Sequence, residues 1–267
     1  SFKCDFSVNL AHYQTEITEF PGDQTITNIM GAEILTQVGQ PLGVFYGYKT
    51  QGVFATQDEA ESSNLQALMP NTELKPFSAG DVHFVDDNGD DIIDENDKQI
   101  IGDPNPDLMG MFSTQMHWKG LSLDADLSFS YGNDIFNFTR QQLESLKNTN
   151  NQTEAVLNRW QYEGQETDIP RAVWGDPIGN SRFSDRWIED GSYMRLKQVT
   201  LSYNLPVKPR FINSIELFVS GHNLVTFTNY LGRDPEFSMT RFSLAQGIDT
   251  GMIPQVRSVY LGIKLGL

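Results

Sequence analysis

Strict alternation of apolar and polar side chains is the sequence feature that most constrains this fold. Over residues 121–131, Leu, Leu, Ala, Leu, Phe and Tyr alternate with Ser, Asp, Asp, Ser and Ser. A second alternating segment, 258–267, contains Val259, Leu261, Ile263, Leu265 and Leu267 on one side. Side chains of a β-strand point to opposite faces with a period of two, so each segment predicts a strand with one apolar face. The alternation therefore predicts an all-β protein.

About seven segments carry such a pattern: 6–10, 42–49, 112–118, 121–131, 193–203, 215–219 and 258–267. In 193–203 the apolar positions change phase, because Met194 and Leu196 are even while Val199 and Leu201 are odd. A β-bulge near residues 197–198 would reconcile the two halves. The segments have about the length, ~9–11 residues, that a tilted strand needs to cross a bilayer.

Composition excludes several classes of protein. The formal net charge of −16 argues against a nucleic-acid partner, because phosphate binding needs a basic surface. Apolar runs are too short for a membrane-spanning helix, which does not bear on membrane-spanning strands. The single cysteine, Cys4, excludes an internal disulfide framework and a multi-cysteine zinc site. Because Ser1 stands in an alternating segment with no leader pattern before it, we expect a fragment or one piece of a split chain.

The connections between the predicted strands differ greatly in length. Long links over 55–107, 132–191 and 224–253 alternate with short ones at 118–121 and 204–210. Outer-membrane barrels have this asymmetry, with short periplasmic turns and long external loops. The predicted order leaves the link 16–34 on the periplasmic side, where it would be unusually long. Helical spacing within 141–162 predicts two short helices on an external loop.

One acidic loop has the spacing of a twelve-residue calcium loop. The candidate ligands occupy positions 1, 3, 5, 7, 9 and 12 and are Asp86, Asn88, Asp90, the Ile92 carbonyl, Asp94 and Asp97. Hard oxygen ligands favour calcium or magnesium over zinc. Position 6 is Asp91 instead of glycine, and Asp97 replaces the usual glutamate. The prediction is a structural divalent-cation site; the alternative is a solvated acidic turn.

Several motifs, in chain order, resemble the C-terminal third of the SusC/RagA group of TonB-dependent outer-membrane transporters. They are VGQPLGVFYGY (38–48), AGDV (79–82), IGDPNPD (101–107), GNDIFN (132–137), DGSYMRLK (190–197), SGHNL (220–224) and DPE (234–236). Each motif alone is weak, and their shared order is what identifies the chain as similar to this family.

The resemblance implies that residues 1–267 supply the C-terminal strands of a 22-stranded transmembrane β-barrel with long extracellular loops. The loop 55–107 would carry the acidic motif, and the loop 132–191 the short helices. The implied partners are the rest of the same barrel and its plug, a SusD-like surface lipoprotein, and TonB, which acts through regions absent here. The implied substrates are oligosaccharides or peptides, and the implied location is the Gram-negative outer membrane. Closure with the missing strands is required because a membrane leaves no place for an open sheet edge.

Two other classes compete with a transporter. A soluble, calcium-stabilised β-sandwich that binds glycans would share the alternation, the acidic loop and exposed aromatics such as Trp160, Trp174 and Trp187. Such a sandwich should purify without detergent, and a barrel segment should not. We do not expect an enzyme, because the four histidines lie apart and no G-x-S-x-G motif occurs. Asp124 and Asp126 simply share the polar face of one strand.

Two placements follow from the barrel prediction. Leu123, Leu127 and Phe129 should face acyl chains, while Asp124 and Asp126 should face the lumen. Aromatic residues near predicted strand ends could form interfacial girdles, with ordinary strand-end packing as the alternative. These aromatics are Tyr46, Tyr48, Trp118, Tyr131 and Tyr203.

Overall fold

The computed structural model describes residues 1–206, 212–237 and 243–266. Its strands are β1 (Phe2–Ala11), β2 (Gln24–Ile29), β3 (Ala32–Gln37), β4 (Val44–Tyr48), β5 (Thr50–Val53), β6 (Gln66–Leu68), β7 (Leu74–Pro76), β8 (Val82–Phe84), β9 (Ile92–Ile93), β10 (Lys98–Gly102), β11 (Leu108–Trp118), β12 (Leu121–Tyr131), β13 (Asp134–Asn137), β14 (Ile188–Asp190), β15 (Tyr193–Asn204), β16 (Ser214–His222), β17 (Thr226–Thr228), β18 (Ile248–Asp249) and β19 (Ser258–Gly266). The helices are α1 (Gln57–Ser62) and α2 (Phe138–Glu144), with 3₁₀ turns at Glu95–Asp97, Glu154–Asn158, Asp185–Trp187 and Ser243–Ala245. Within the described ranges, no helix is long and apolar enough to cross a bilayer.

Six long antiparallel strands form the main sheet in the order β1-β11-β12-β15-β16-β19, and β17 pairs with the start of β15. The β11–β12 hairpin closes through two residues, since Trp118 pairs with Leu121. Both turn residues, Lys119 and Gly120, have positive φ angles of 47° and 87°. Two positive φ values are the requirement of a type I′ turn, whose twist matches that of the flanking strands. The turn fixes the register of the longest hairpin in the sheet.

The two faces of this sheet differ sharply in chemistry. One row of cross-strand partners reads Cys4, Met116, Leu123, Leu201, Val219 and Leu261. The neighbouring row, on the opposite face, reads Asp5, Gln115, Asp124, Thr200, Ser220 and Tyr260. By the same alternation along β12, Leu123, Leu127 and Phe129 lie on the opposite face from Asp124 and Asp126, while their contact with lipid or lumen stays a prediction. We refer below to the apolar face and the polar face of the main sheet.

All three long connections of the main sheet leave from the same end. They span residues 12–107, 132–192 and 223–257, whereas the links at the opposite end span 119–120 and 205–213. Since consecutive strands of the main sheet are antiparallel neighbours, successive links leave from alternating ends, and the long links are the first, third and fifth. We call the three long connections together the cap.

One predicted barrel strand lies elsewhere. The segment 42–49 contains β4, which belongs to a separate sheet of order β10-β4-β3-β2 within the cap. The link 16–34 is likewise not a periplasmic connection, because it supplies β2 and part of β3 to this sheet. The reason is burial on both faces: Val44 and Phe45 are adjacent, point in opposite directions and are both buried. A strand covered on both sides has no face for lipid.

Two hydrophobic clusters make the cap an ordered unit. The first joins aromatic and aliphatic residues of the first connection, including Phe54, Phe77, Phe84 and Ile93, with Ile178 of the second. The second draws on all three connections, with Phe45, Phe136, Trp187 and Ile248 at its centre. Two of the tryptophans expected to be exposed are therefore placed differently, since Trp187 is buried and Trp160 is only partly exposed. Trp174 is 74% exposed.

The structure also bears on the predicted β-bulge, the predicted short helices and the predicted aromatic girdles. The register shift opposite Asp126 and Leu127 pairs them with Gln198 and Leu196, which confirms the bulge at Lys197. The predicted helices in 141–162 correspond to α2 and to the 3₁₀ turn Glu154–Asn158. Trp118, Tyr131 and Tyr203 lie at or next to strand ends of the main sheet and are exposed, as a girdle would require. Tyr46 and Tyr48 belong to the cap, so they cannot be part of a girdle.

Candidate ligand-binding face and acidic loop

The polar face carries a band of hydrogen-bonding side chains across the six strands. Thr200 Oγ1 lies 2.8 Å from Ser220 Oγ, which in turn lies 3.2 Å from His222 Nε2. Asp124 lies opposite Gln115 and Thr200 across the sheet, and these partners are amide and hydroxyl groups rather than a nucleophile–base pair. Because these side chains can hydrogen-bond to water, the polar face is chemically suited to line a water-filled channel.

A buried ion cluster fastens the third connection to this face. Arg195, on β15, pairs with Asp234 and places Nη1 3.0 Å from Glu236 Oε2. Lys197 Nζ donates to both Glu236 carboxylate oxygens, at 2.5 and 2.7 Å. Arg195 and Asp234 are only 2% and 5% exposed, so neither charge is balanced by water. We call Arg195, Lys197, Asp234 and Glu236 the Arg195 clamp.

The clamp also orders the chain around it. Asp234 accepts from the backbone amides of Glu236 and Gln255, both at 2.9 Å. Arg195 Nε donates to Thr226 Oγ1 at 2.9 Å. Sequence reasoning singled out the MRLK and DPE motifs but did not connect them. Arg195 and Asp234 are 39 residues apart in the sequence, so the sequence does not predict their contact. The opposite charges of the two motifs are the one sequence feature that is consistent with it.

A cavity of about 510 Å³ lies beside the clamp, between the polar face and the cap. Its sheet wall includes Met111, Ser128 and Tyr193, which the strand register places on the polar face near the cap end. The cap contributes the opposite wall, including Pro104, Ile135, Phe237 and Gln246.

The acidic loop is ordered by hydrogen bonds from its own backbone. Asp86 accepts from the amides of Gly89 and Asp91 at 2.7 and 2.8 Å. Asp91, at the sixth position of the loop, has a φ of 63°, the left-handed conformation that glycine supplies in calcium loops. Ile93 is fully buried in the first hydrophobic cluster, which anchors the loop to the cap.

The remaining predicted ligands are used in the same manner. Asn88 Oδ1 accepts from the Asp90 amide at 2.9 Å, and Asp90 Oδ1 accepts from the Ile92 amide at 2.9 Å. Asp94 Oδ1 caps the 3₁₀ turn by accepting from the Asn96 amide at 2.7 Å. Across the part of the chain that the structure describes, no three His, Cys, Asp or Glu side chains converge on one metal position. The calcium or magnesium site therefore stays a prediction.

The pKa values of two of these carboxyls are shifted in opposite directions. Burial raises the pKa of Asp97, and the nearby carboxylates of Asp86 and Asp94 raise it further. For Asp86 burial also acts upward, but the amides of Asp91, Gly89 and Asp90 outweigh it and hold the pKa below its usual value. A cation beside Asp97 would relieve the repulsion, which is the chemical argument that still favours the predicted site.

The metal prediction can be tested on the complete transporter. We expect calcium, titrated calorimetrically, to bind to the wild type, and Asp86→Asn to weaken binding by roughly tenfold or more, because each ligand charge contributes to affinity. Asp23→Asn, an exposed acid outside the loop, is the matched control and should leave binding unchanged. A wild type that releases no heat with calcium or magnesium would contradict the prediction.

A second test uses pH and His83, on β8. Its ring stacks on Phe54, with centroids 4.3 Å apart, and burial lowers its pKa despite the opposing charge of Glu59. The unfolded ring titrates near ~6.5, so the unfolded cap takes up a proton first and the cap loses stability as pH falls below that value. We expect hydrogen exchange in residues 50–84 to accelerate between pH 7.5 and 5.5. His83→Gln should remove most of this acceleration, and His117→Gln, on the main sheet, should not.

Comparison with known proteins places these features in one family. A TonB-dependent receptor of Formosa agariphila, P3, is 32% identical over 235 residues, covering 85% of this chain and 22% of the receptor. Receptor P26 of the same organism is 30% identical over 235 residues, covering 85% of this chain and 23% of the receptor. SusC of Bacteroides thetaiotaomicron is 26% identical over 186 residues, covering 68% of this chain and 17% of SusC. No family model matches the chain.

Solved structures share the fold. The RagAB peptide transporter superimposes with a TM-score of 0.76 at 23% identity, covering 99% of this chain and 27% of that chain. The RagAB peptide importer in its closed-closed state gives 0.72 at 22% identity, with coverage of 99% and 27%. The chain thus spans less than a quarter of the length of the two Formosa receptors and SusC. Together with the one-sided connections and the two-faced sheet, the two Formosa receptors show that the chain belongs to the TonB-dependent receptors, of which it spans one part.

Proposed function

We propose that this chain forms part of the barrel wall and the external cap of a transporter in the Gram-negative outer membrane. The observation that carries the proposal is the exposed apolar face of the main sheet. On β19 alone, Val259, Leu261 and Ile263 are 67%, 85% and 64% exposed. Contiguous apolar surface of this kind marks contact with another protein or with lipid. An outward apolar band is what a transmembrane barrel presents to acyl chains.

The soluble sandwich fits these observations poorly. A sandwich buries the apolar faces of two sheets against each other at about 10 Å. Among the described residues, the two hydrophobic clusters lie in the cap and include no residue of the six main strands. Within the described ranges, the apolar face of the main sheet therefore has no second sheet over it.

The proposed activity is active import of oligosaccharides or peptides, energised by TonB and assisted by a SusD-like surface lipoprotein. Support comes from the relatives, which are TonB-dependent receptors, and from the structural neighbour, a peptide transporter. The chain supplies the polar face that would line the passage and the cap that would stand above it. The plug, the remaining strands and the TonB contact would come from other parts of the transporter.

The central test is fractionation combined with uptake. The intact transporter should sediment with the outer membrane and resist extraction without detergent. A strain lacking it should lose uptake of particular glycans or peptides, and a strain lacking TonB should lose the same uptake. Recovery of the protein in the soluble fraction, or uptake that does not depend on TonB, would contradict the proposal.

The lipoprotein partnership has its own test in the cap. Leu157, Tyr162 and Trp174, all in the second connection, are 70%, 66% and 74% exposed. Large aromatic residues at the centre of an interface contribute most of its binding energy, so Trp174→Glu should weaken co-purification of the lipoprotein by about tenfold or more. Asn151→Glu adds the same charge at an exposed polar position and serves as the control. Undiminished co-purification with Trp174→Glu would place the interface elsewhere.

A further inference from the structure

The cavity beside the Arg195 clamp has walls that are mainly apolar. Its apolar lining includes Pro104, Pro106, Met109, Met111, Ile135 and Phe237. At about 510 Å³ it lies within the ~300–1,000 Å³ range of small-ligand sites. Methionine side chains adapt their shape to different apolar partners, so Met109 and Met111 suit a site that accepts more than one ligand.

Among the described residues, the cavity lining offers no free charge. The ionisable groups in its lining are the carboxylate of Glu236 and the phenol of Tyr193. Glu236 is already paired with Lys197 at 2.5 Å and with Arg195 at 3.0 Å. The clamp pairs two cationic side chains with two carboxylates, so its charges balance. The cavity wall is therefore locally neutral, although the chain as a whole carries a formal net charge of −16. A charged ligand group entering it would lose hydration without gaining an ion pair.

A buried hydroxyl in the cavity wall lacks a partner. Ser128 is 8% exposed, and its Oγ makes no hydrogen bond to any described residue. Buried hydroxyls are almost always hydrogen-bonded, because a buried hydroxyl without a partner has lost its hydrogen bonds to water and gained none in return. The side chains of Asn9, Asn133 and Gln246 also line the cavity. Asn133 Oδ1 already accepts from Ser130 Oγ at 2.8 Å, and Gln246 Nε2 already donates to the Pro104 carbonyl at 3.0 Å. The Asn133 amide nitrogen and the Gln246 amide oxygen are the groups of these two side chains that can pair with a ligand. These few polar groups, set in apolar walls, fit a ligand with isolated amide groups.

The chemistry of the walls discriminates between the two substrate classes. An oligosaccharide carries hydroxyls on nearly every carbon, and most of them would face apolar carbon here and lose their hydrogen bonds to water. A peptide carries one amide group per residue between side chains that can be apolar. Burial of those side chains is favourable in proportion to their area, and the amides can pair with the carboxamides and with Ser128.

We propose that this cavity is a peptide-binding subsite of the transporter, which takes apolar, uncharged side chains of a short peptide and pairs its backbone with Ser128 and neighbouring carboxamides. The inference rests on the proposed import function and narrows its substrate to peptides at this position. The 234–237 turn forms one wall of the subsite, so the Arg195 clamp holds the wall in place.

The test is calorimetric binding to the complete transporter in detergent with three probes. They are the acetylated and amidated tetrapeptide Ala-Leu-Phe-Ala, its charged counterpart Ala-Asp-Asp-Ala, and the neutral saccharide maltotetraose. We expect only the apolar tetrapeptide to bind at this subsite. Met111→Glu should lower its affinity by about tenfold or more, because the new carboxylate must be desolvated by the ligand. Ser128→Ala should lower it by a few-fold through the lost hydrogen bond.

The matched control is Asn151→Glu, which adds the same charge at an exposed position of the second connection outside the cavity. It should leave the affinity for the tetrapeptide unchanged, and all variants should retain the wild-type melting temperature. An apolar tetrapeptide that fails to bind, or that binds Met111→Glu as tightly as the wild type, would overturn the subsite. So would maltotetraose binding that is lost with Met111→Glu.

Whole-cell uptake separates this failure from failure of the import function. One outcome is that uptake of some solute depends on the transporter while Met111→Glu leaves the affinity for the tetrapeptide unchanged. In that case the import function is supported and the subsite is wrong. If no solute depends on the transporter, the import function itself is wrong.

Discussion

Leu127→Arg is expected to impair insertion of the barrel strongly. Leu127 lies near the middle of β12, opposite Phe112 on one neighbouring strand and Leu196 on the other. A strand of this length crosses the hydrocarbon layer when tilted, so its central residues lie near the midplane. An arginine there costs ~2–4 kcal/mol, because the guanidinium must be desolvated or must distort the bilayer.

The control lies one residue away on the opposite face. Asp126→Asn changes a side chain directed at the polar face, opposite Ser113 and Gln198, and should leave folding nearly unchanged. The free energy of unfolding in lipid vesicles and heat-modifiable migration on gels measure both variants. Equal losses from the two changes would mean that β12 does not present one face to lipid.

The alternation of apolar and polar residues predicts the strands of the main sheet correctly, because one face of each strand is apolar and the other is polar. The sequence of β12 and of β19 reports that difference directly, since apolar residues recur at every second position. The bulge at Lys197 was also accessible, because a bulge reverses the phase of the pattern. Where a strand borders two environments, its sequence therefore predicts both its type and its orientation.

Alternation of apolar and polar residues does not predict the strands of the cap. Those strands are either buried on both faces or too polar to show alternation. In β4, Val44, Phe45 and Tyr48 are all buried, so the apparent alternation of 42–49 came from intervening glycines rather than from a solvent or lipid face. In β2, the segment QTITNI is mostly exposed and predicts nothing definite. Placing either strand required its partners, which lie far away in sequence.

The candidate sites show the same limit. The sequence spacing of the acidic residues is enough to predict the acidic loop, because the interacting residues are neighbours in the sequence. The Gly89 amide, for example, donates to Asp86, and the Asp90 amide donates to Asn88. The peptide-binding cavity was not found, because it combines strands β1, β11, β12 and β15 with parts of all three connections. Residues such as Ser128 and Met111 look ordinary until their strand register places them beside one another.

Removal of the Arg195 guanidinium is the second change with a large expected effect. Arg195→Met leaves Asp234 buried with no cation beside it, while Glu236 keeps Lys197. Breaking a buried ion pair from one side costs ~3–5 kcal/mol, because the remaining charge keeps its desolvation penalty and loses its compensation. We expect the free energy of unfolding to fall by that amount and the 234–237 turn to detach from the polar face.

An exposed ion pair on the same sheet provides the comparison. Lys264 lies 3.3 Å from Glu216, and its side chain is 72% exposed, so Lys264→Met should cost only ~0–1 kcal/mol. Urea unfolding of the folded barrel in vesicles measures both variants on one scale. Similar losses for Arg195→Met and Lys264→Met would show that water, rather than the protein, compensates the charge of Asp234.

A double variant separates electrostatics from packing in the clamp. Asp234→Leu in the Arg195→Met background removes the orphaned carboxylate, and hydrophobic replacement of a whole buried pair is often close to neutral. The recovery should be incomplete, because Asp234 also accepts from the amides of Glu236 and Gln255. A double variant more stable than Arg195→Met alone would therefore identify the uncompensated charge as the main cost. One less stable would instead assign the clamp's contribution to those backbone hydrogen bonds, which hold the wall of the proposed peptide subsite.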